Sequence, residues 1–148
     1  MAPGIQAADM PDAMIAMAQR LESAPLDDAL AQCAEELQEG FADNFQRAAD
    51  SAGGAWPQRK DPTPTHPLLQ LTGALLESTQ TDTPSIAGRM LQVGVDPSSG
   101  AGGVPFAAVH QFGSSSRNIA QREFIYATDD VLDACAEIIG DEVEKVLS

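Results

Sequence analysis

A long apolar stripe in the first third of the chain is the feature that most constrains its fold. Apolar side chains recur there at steps of three or four: Leu26, Leu30, Cys33, Leu37, Phe41, Phe45 and Ala48. This spacing places them on one face of a helix, because an α-helix has 3.6 residues per turn. We predict a helix over residues 26–50, with Gly40 marking a bend or a close contact. Gly53 and Gly54 are expected to end it.

Two other segments carry the same helical pattern. Residues 11–23 place Met14, Met17, Ala18 and Leu21 on one side. Residues 129–147 follow Thr128, whose hydroxyl suits an N-cap, and begin with two aspartates that stabilise the positive end of the helix dipole. The predicted buried stripe of this last helix comprises Leu132, Cys135, Ile139, Val143 and Val146.

The middle of the chain has a different character. Residues 55–67 contain four prolines and few apolar groups, which predicts an extended connector. A short helix is expected over residues 68–78 and a helical turn within residues 104–113. Alternating side chains predict strands over residues 85–95 and 118–126.

These elements predict an α+β fold in a single domain, residues 1–148. Long N-terminal helices and a C-terminal helix pack on a small antiparallel sheet. A sheet of two or three strands is marginal in water, so the helices or neighbouring subunits must cover it. Residues 1–24 form an N-terminal helical extension, and residues 55–67 form the proline-rich connector.

The charge of the chain limits its partners. Twenty-two acidic residues against eight basic ones give a net charge of −14. Such a surface repels phosphate backbones, which nucleic-acid binders neutralise with lysine and arginine clusters. The charge therefore argues against sequence-specific DNA binding, although an acidic wall suits DNA that slides past without adhering. The simpler interpretation is that the charge keeps the protein soluble.

The remaining composition indicates a protein of the cytoplasm. No apolar run approaches the ~20 residues of a membrane helix, and the first residues lack the pattern of a secretory signal. Cys33 and Cys135 are far apart in the sequence and have no metal-like spacing. Each falls on the apolar side of a predicted helix, so we expect two buried free thiols rather than a disulfide.

Candidate chemistry is sparse. His66 and His110 are the two histidines, and His110 with one of Ser114, Ser115 or Ser116 would be the candidate nucleophile–base pair. The stretch GSSSR has none of the flanking features of a nucleophile elbow, which favours a structural, hydrogen-bonded His110. Adjacent acidic pairs diverge on helices and form no ligand set. We expect no catalytic site, no metal and no cofactor.

Several motifs, in order, resemble the phage virion morphogenesis family, the tail-completion or neck proteins of Mu-like and related contractile-tailed phages. They are FADNFQRAADSAGGAWPQ (residues 41–58), HPLLQLTGALLEST (66–79), FAAVHQFG (106–113) and IAQREFIYATDD (119–130). The family pattern is a long helix, a tryptophan, "L.TG.L..S", a strand, "YA..HQ.G", an "R.F" strand and a closing helix. Phe106 and Ala120 depart from it, where the family more often has tyrosine and proline. The positions that carry the resemblance are Trp56, His66, Pro67, Leu71, Thr72, Gly73, Leu75, His110, Gln111, Gly113, Arg122 and Phe124.

Several of these positions also have a physical interpretation of their own. Trp56 follows two glycines, where its ring is expected to pack in the core and hold the connector. Thr72 and Gly73 offer a helix cap and a close backbone approach. His110 and Gln111 are expected to hydrogen-bond to strand ends. Arg122 and Glu123 point to opposite faces of the predicted strand, so one of them meets a partner subunit or another element, or both are solvated.

The resemblance implies a structural virion protein without enzymatic activity. It implies a ring of about six or about twelve copies at the head–tail neck or the tail end, which completes the tail and joins it to the head. Its partners would be other copies of itself, the neck and tail-tube proteins, and DNA that passes without specific binding. It would reside in the host cytoplasm before assembly and in the virion afterwards. The alternatives are an assembly chaperone that stays out of the virion and a small cytoplasmic enzyme.

Overall fold

The computed structural model describes residues 12–70, 73–96 and 106–148. These residues form five helices and one two-stranded antiparallel sheet, which confirms the predicted α+β class. None of these helices is long and apolar enough to cross a membrane. The elements in chain order are α1 (Asp12–Glu22), α2 (Asp27–Arg47), α3 (Ala74–Thr81), β1 (Ser85–Ala87), β2 (Met90–Gln92), α4 (Phe106–Phe112) and α5 (Asp129–Leu147).

Helix α2 follows the predicted apolar stripe but ends before the predicted glycines. Ala48 adopts a left-handed conformation (φ 47°), and its amide donates to the carbonyl of Asn44. A tight loop follows, in which the Asp50 carboxylate accepts from the amides of Ala52 and Gly54 at 3.0 and 2.8 Å. The left-handed Ala48 turns the chain out of the helix and this loop satisfies the backbone groups that follow, so α2 ends at Arg47.

Helices α2 and α5 pack antiparallel and form the main helical layer. The predicted close contact at Gly40 is confirmed: a Cβ there would lie only 2.8 Å from Cγ2 of Val131. Further along the pair, the Sγ of Cys33 donates to the carbonyl of Cys135 at 3.7 Å, and the reverse bond measures 3.8 Å. Both cysteines are free, as predicted.

Helix α5 has the predicted bounds, but its apolar stripe is only half-buried. The Thr128 side chain caps it by accepting from the amide of Val131. None of its residues is fully buried, and Leu132 is 52% exposed. The prediction of a buried Leu132 was therefore wrong, because α2 and α1 cover α5 from only part of its circumference.

Two arginines connect α1 to the rest of the fold. Arg20 donates to the carbonyl of Val146 at the end of α5, at 2.7 Å. Arg89, in the turn between β1 and β2, donates to the carbonyls of Leu21 and Glu22. Since α1 has no buried residue, these polar contacts are a large part of its attachment.

The predicted strand over residues 85–95 is a short hairpin. Its register pairs Ser85 with Gln92 and Ala87 with Met90, and Gly88 (φ 60°) takes the turn conformation that glycine favours. The second predicted strand, residues 118–126, was wrong. That segment has a single bridge, Ser114 to Ile119, and no ladder, because side chains rather than a neighbouring strand take up its backbone groups.

The core gathers residues from α2, the connector, α3, α4 and the segment before α5 around one aromatic cluster. The ring of Phe45 meets Trp56 edge-on at 5.9 Å between centroids and meets Phe124 at 5.3 Å. Leu75 of α3 and Ala107 of α4 complete the buried set. Aromatic pairs in these geometries contribute about 0.5–1.5 kcal/mol beyond their buried area. This cluster therefore joins α2, α3 and α4 to the extended segment before α5.

Candidate functional site

The extended segment of residues 119–127 is held along one edge by a single side chain of α4. The Oε1 of Gln111 accepts from the amides of Phe124 and Ile125 at 3.0 and 2.9 Å, and its Nε2 donates to the carbonyl of Ile125 at 3.1 Å. The amide of Arg122 donates to the carbonyl of His110 at 2.8 Å. The Gln111 carboxamide thus pairs with the backbone amides and a carbonyl of this segment, as a neighbouring strand would in a sheet.

Side chains from α2 and from the loop after it satisfy other backbone groups of the segment. The Nδ2 of Asn44, a fully buried residue, donates to the carbonyls of Phe124 and Tyr126 at 2.9 and 3.0 Å. The Nε1 of Trp56 donates to the carbonyl of Glu123 at 2.9 Å. Asn44, Trp56, Gln111, Arg122 and Phe124 are hereafter called the motif junction.

Arg122 and Glu123 both contact other elements of their own chain. The guanidinium of Arg122 is buried, and its Nε and Nη2 donate to the carbonyls of Pro57 and Gln58 at 2.9 and 3.2 Å. Burial and the nearby charge of Arg59 lower the pKa of Arg122. A Glu123 carboxylate oxygen accepts from the hydroxyl of Ser51 at 2.7 Å. Of the alternatives open for this pair, the structure shows contact with another element, and a role at a subunit interface stays a prediction.

His110 lies beside the motif junction with its ring stacked on Phe106, 6.4 Å between centroids. Its Nδ1 is buried and has no hydrogen-bond partner among the described residues. Burial, and secondarily the positive charge of Arg122, lower the pKa of His110. The backbone of Ser114, a candidate nucleophile, exchanges two hydrogen bonds with the backbone of Ile119. The hydroxyl oxygen of Ser114 lies 3.2 Å from that of Ser116. The predicted hydrogen bond from the His110 side chain to this segment is not made by Nδ1. Instead, the backbone carbonyl of His110 accepts from the amide of Arg122.

Two glycines and a leucine of the motifs have evident structural roles. Gly113 has φ 76°, and a Cβ there would lie 3.1 Å from the amide nitrogen of Gln121. Gly73 also has a positive φ, 77°, and is the N-cap of α3. The predicted close backbone approach at Gly73 was wrong, because a Cβ there would meet nothing within 4 Å. Leu75 is buried in the core. Leu71 and Thr72 lie outside the described residues, and the predicted Thr72 cap lies there with them.

His66 and Pro67 are held by Arg59 in the proline-rich connector. The Nη2 of Arg59 donates to the carbonyls of His66 and Pro67 at 2.6 and 2.9 Å, and lies 2.9 Å from Nδ1 of His66. The Nη1 of Arg59 donates to the carbonyl of Pro64 at 3.2 Å. The connector has no ladder, yet one guanidinium fixes its second half.

The arrangement as a whole joins distant parts of the sequence. In the described ranges, no group of three or more His, Cys, Asp or Glu side chains is placed to hold a metal ion. Three buried or half-buried polar side chains attach the connector and the extended segment to the helices by hydrogen bonds: Asn44 of α2, Gln111 of α4 and Arg122 of the segment itself.

Neither a family model, nor a curated protein, nor a solved structure matches this chain. The resemblance drawn from the motifs therefore stands on the sequence alone.

Sequence reasoning missed Asn44 and Tyr126. Tyr126 donates its hydroxyl to the carbonyl of Ala49 at 2.7 Å, and burial raises its pKa. Asn44 could have been found, because it is a polar residue between Phe41 and Phe45 on the apolar side of α2. Such a residue is buried only when a specific partner accepts its hydrogen bonds.

Proposed function

We propose that this chain is a structural subunit of a tailed-phage particle. It forms a ring at the head–tail neck or the tail end, completes the tail and leaves an open channel for DNA. The proposal takes the family from the sequence resemblance, whose motifs appear in the expected order over residues 41–148.

One structural observation supports the proposal in addition to the motifs themselves. The segments that carry the resemblance are far apart in the sequence, yet their most specific residues contact one another. Trp56 bonds to the backbone of the "R.F" segment, Gln111 of "HQ.G" bonds to the same segment, and Leu75 packs with both Trp56 and Phe124. Residues that depend on one another physically are expected to occur together, which supports treating the motifs as one pattern rather than as chance matches.

The acidic surface fits this function. Hypothesis: part of it faces the channel, where carboxylates keep passing DNA from adhering. The motivating observation is the net charge of −14, on a protein that the proposed function puts beside DNA. A structure of the assembled ring with a neutral or basic lumen would contradict this hypothesis without touching the proposed ring itself.

Quantitative mass spectrometry of purified particles tests the proposed function. The peptides of this chain are counted against those of a major tail protein. We expect about six or about twelve copies per particle, the numbers of one closed ring. Absence from finished particles, together with presence in the lysate, would overturn the proposal in favour of an assembly chaperone.

A further inference from the structure

Positive charge is gathered on one side of this acidic chain. Lys60 of the connector donates to the carbonyl of Asn118 at 3.2 Å, so the connector touches the loop that carries the exposed Arg117. Arg59 lies near enough to Arg122 to act on it electrostatically. Across residues 56–70 and 106–122, Asp61 is the single acidic residue. We call Arg59, Lys60 and Arg117 the basic surface.

A row of carboxylates follows the outer face of α5. Its members recur at steps of three or four and are all exposed: Asp130, Asp133, Glu137, Asp141 and Glu144. We call them the acidic stripe. Like charges at these spacings repel one another and destabilise a helix. The one ion pair among the described residues, Lys145 with Glu142, leaves the stripe uncompensated.

We infer that the basic surface of one copy docks on the acidic stripe of a second copy. Charge complementarity identifies the occupant, since each surface is an uncompensated patch of the sign that the other needs. DNA is a poor alternative occupant of the basic surface, because its three cations can neutralise only a few phosphates. This inference names the contact of the proposed ring and rests on that function only for the closure of the ring.

The two surfaces lie on different elements, and the proposed ring requires that they meet head-to-tail. Each docked copy keeps one unused basic surface or one unused stripe, and a further copy can add to it until the ring closes. Docking also brings cations to the stripe and so removes the repulsion that α5 carries in the monomer. Because the surfaces are exposed, salt weakens their attraction over a screening length of ~10 Å at 0.1 M.

The experiment is sedimentation velocity of the full chain at low and high NaCl, about 0.05 and about 0.5 M, which span the change in screening length. We expect association at low salt and monomer at high salt. Arg117→Glu and Glu137→Lys should each weaken association by about tenfold or more, as loss of a coupled charge pair does. Two controls change charge by the same amounts off the two surfaces: the double variant Gln46→Glu with Gln80→Glu, and Glu77→Lys. Neither should weaken association.

Mixing the two variants gives the decisive comparison. In an equimolar mixture of Arg117→Glu and Glu137→Lys, one contact joins two unchanged surfaces and the other joins two substituted side chains of opposite sign. Association should therefore return in the mixture, although each variant alone associates weakly. Circular dichroism and a cooperative melt establish that each variant is folded; both sites are exposed.

Any of three results would overturn the inference: a chain that stays monomeric at low salt, association that is insensitive to salt or equally weakened in the controls, or folded variants that fail to associate when mixed. The particle count by mass spectrometry does not depend on these measurements. A chain present in particles at ring stoichiometry but lacking this salt-sensitive contact would refute the inference and leave the proposed function standing.

Discussion

Replacing Gln111 with alanine should destabilise the protein far more than its half-exposed position suggests. The side chain makes three hydrogen bonds to the extended segment, two to amides and one to a carbonyl, at 2.9–3.1 Å. A typical hydrogen bond contributes about 0.5–1.5 kcal/mol net, and a donor left unsatisfied costs about 1–3 kcal/mol. We therefore expect Gln111→Ala to lower the free energy of unfolding by about 3 kcal/mol.

Two further variants separate the hydrogen bonds from the loss of the side chain. Gln111→Glu keeps an acceptor for the amides of Phe124 and Ile125 but loses the donor to the Ile125 carbonyl, so it should cost less than the alanine. Gln121→Ala is the matched control. Its Nε2 makes one exposed bond, to the carbonyl of Gln111 at 3.0 Å, and its removal should cost less than about 1 kcal/mol.

Urea unfolding followed by circular dichroism measures these differences, and hydrogen exchange locates them. The amides of Phe124 and Ile125 should lose protection in Gln111→Ala, since their acceptor is gone. If Gln111→Ala stays within about 0.5 kcal/mol of the parent chain, or costs no more than Gln121→Ala, the carboxamide does not replace a strand as argued here.

Three other predictions follow from single contacts. Asn44→Asp places a carboxylate beside the carbonyl oxygens of Phe124 and Tyr126 in a fully buried site. Urea unfolding should show that this variant lowers the free energy of unfolding by more than about 3 kcal/mol, and that Asn44→Leu lowers it by less. Gly113→Ala should cost about 2 kcal/mol because of its φ of 76°, whereas Gly140→Ala, where a Cβ meets nothing within 4 Å in α5, should stabilise by about 0.8 kcal/mol. Burial, and secondarily a hydrogen bond with the Cys33 side chain, raise the pKa of Cys135 from 9.0 to about 11. The folded state therefore keeps the thiol proton to higher pH than the unfolded state, and the stability of the fold should decrease as pH rises from 9.0 towards 11. The thiolate absorbance of a Cys33→Ser variant reports this titration.

The helices were predictable because their stabilising pattern is local. The predicted bounds of α5 match the structure, and the spacing of the α2 stripe follows directly from the helical repeat. The hairpin could have been recognised too, since Gly88 interrupts the alternation at the turn. By contrast, the segment of residues 118–126 has the composition of a strand but lacks a neighbouring one. An extended backbone needs partners for its amides and carbonyls, and no local pattern says whether these come from a strand or from side chains.

The candidate site was predictable in its members but not in its contacts. The motifs singled out Trp56, Gln111 and Arg122, whereas their partners are 13 to 67 residues away in the sequence. Sequence spacing gives no direct signal for such pairs, because only the packing of α2, α4 and the connector brings them together. The uneven distribution of charge was visible in the sequence, but its division into two surfaces needed the contact between Lys60 and Asn118.

Arg122 connects the stability of the fold with the proposed docking. Its guanidinium holds the carbonyls of Pro57 and Gln58, and these residues immediately precede Arg59 and Lys60 of the basic surface. Arg122→Lys keeps the positive charge, but a single ammonium cannot reproduce the two-nitrogen geometry of the guanidinium. We expect this variant to lose about 1–2 kcal/mol of stability and also to weaken self-association at low salt, because the connector that presents the basic surface is less fixed.

The other variants should separate the two effects. Gln111→Ala should lower stability and leave the salt dependence of association unchanged, since its side chain bonds to Phe124 and Ile125 and not to the connector. Arg117→Glu should do the reverse. Sedimentation and urea unfolding of the three variants together test this reasoning. If Arg122→Lys lowers stability but associates like the parent chain, the position of the connector does not control docking, and the basic surface must then act through Arg117 alone.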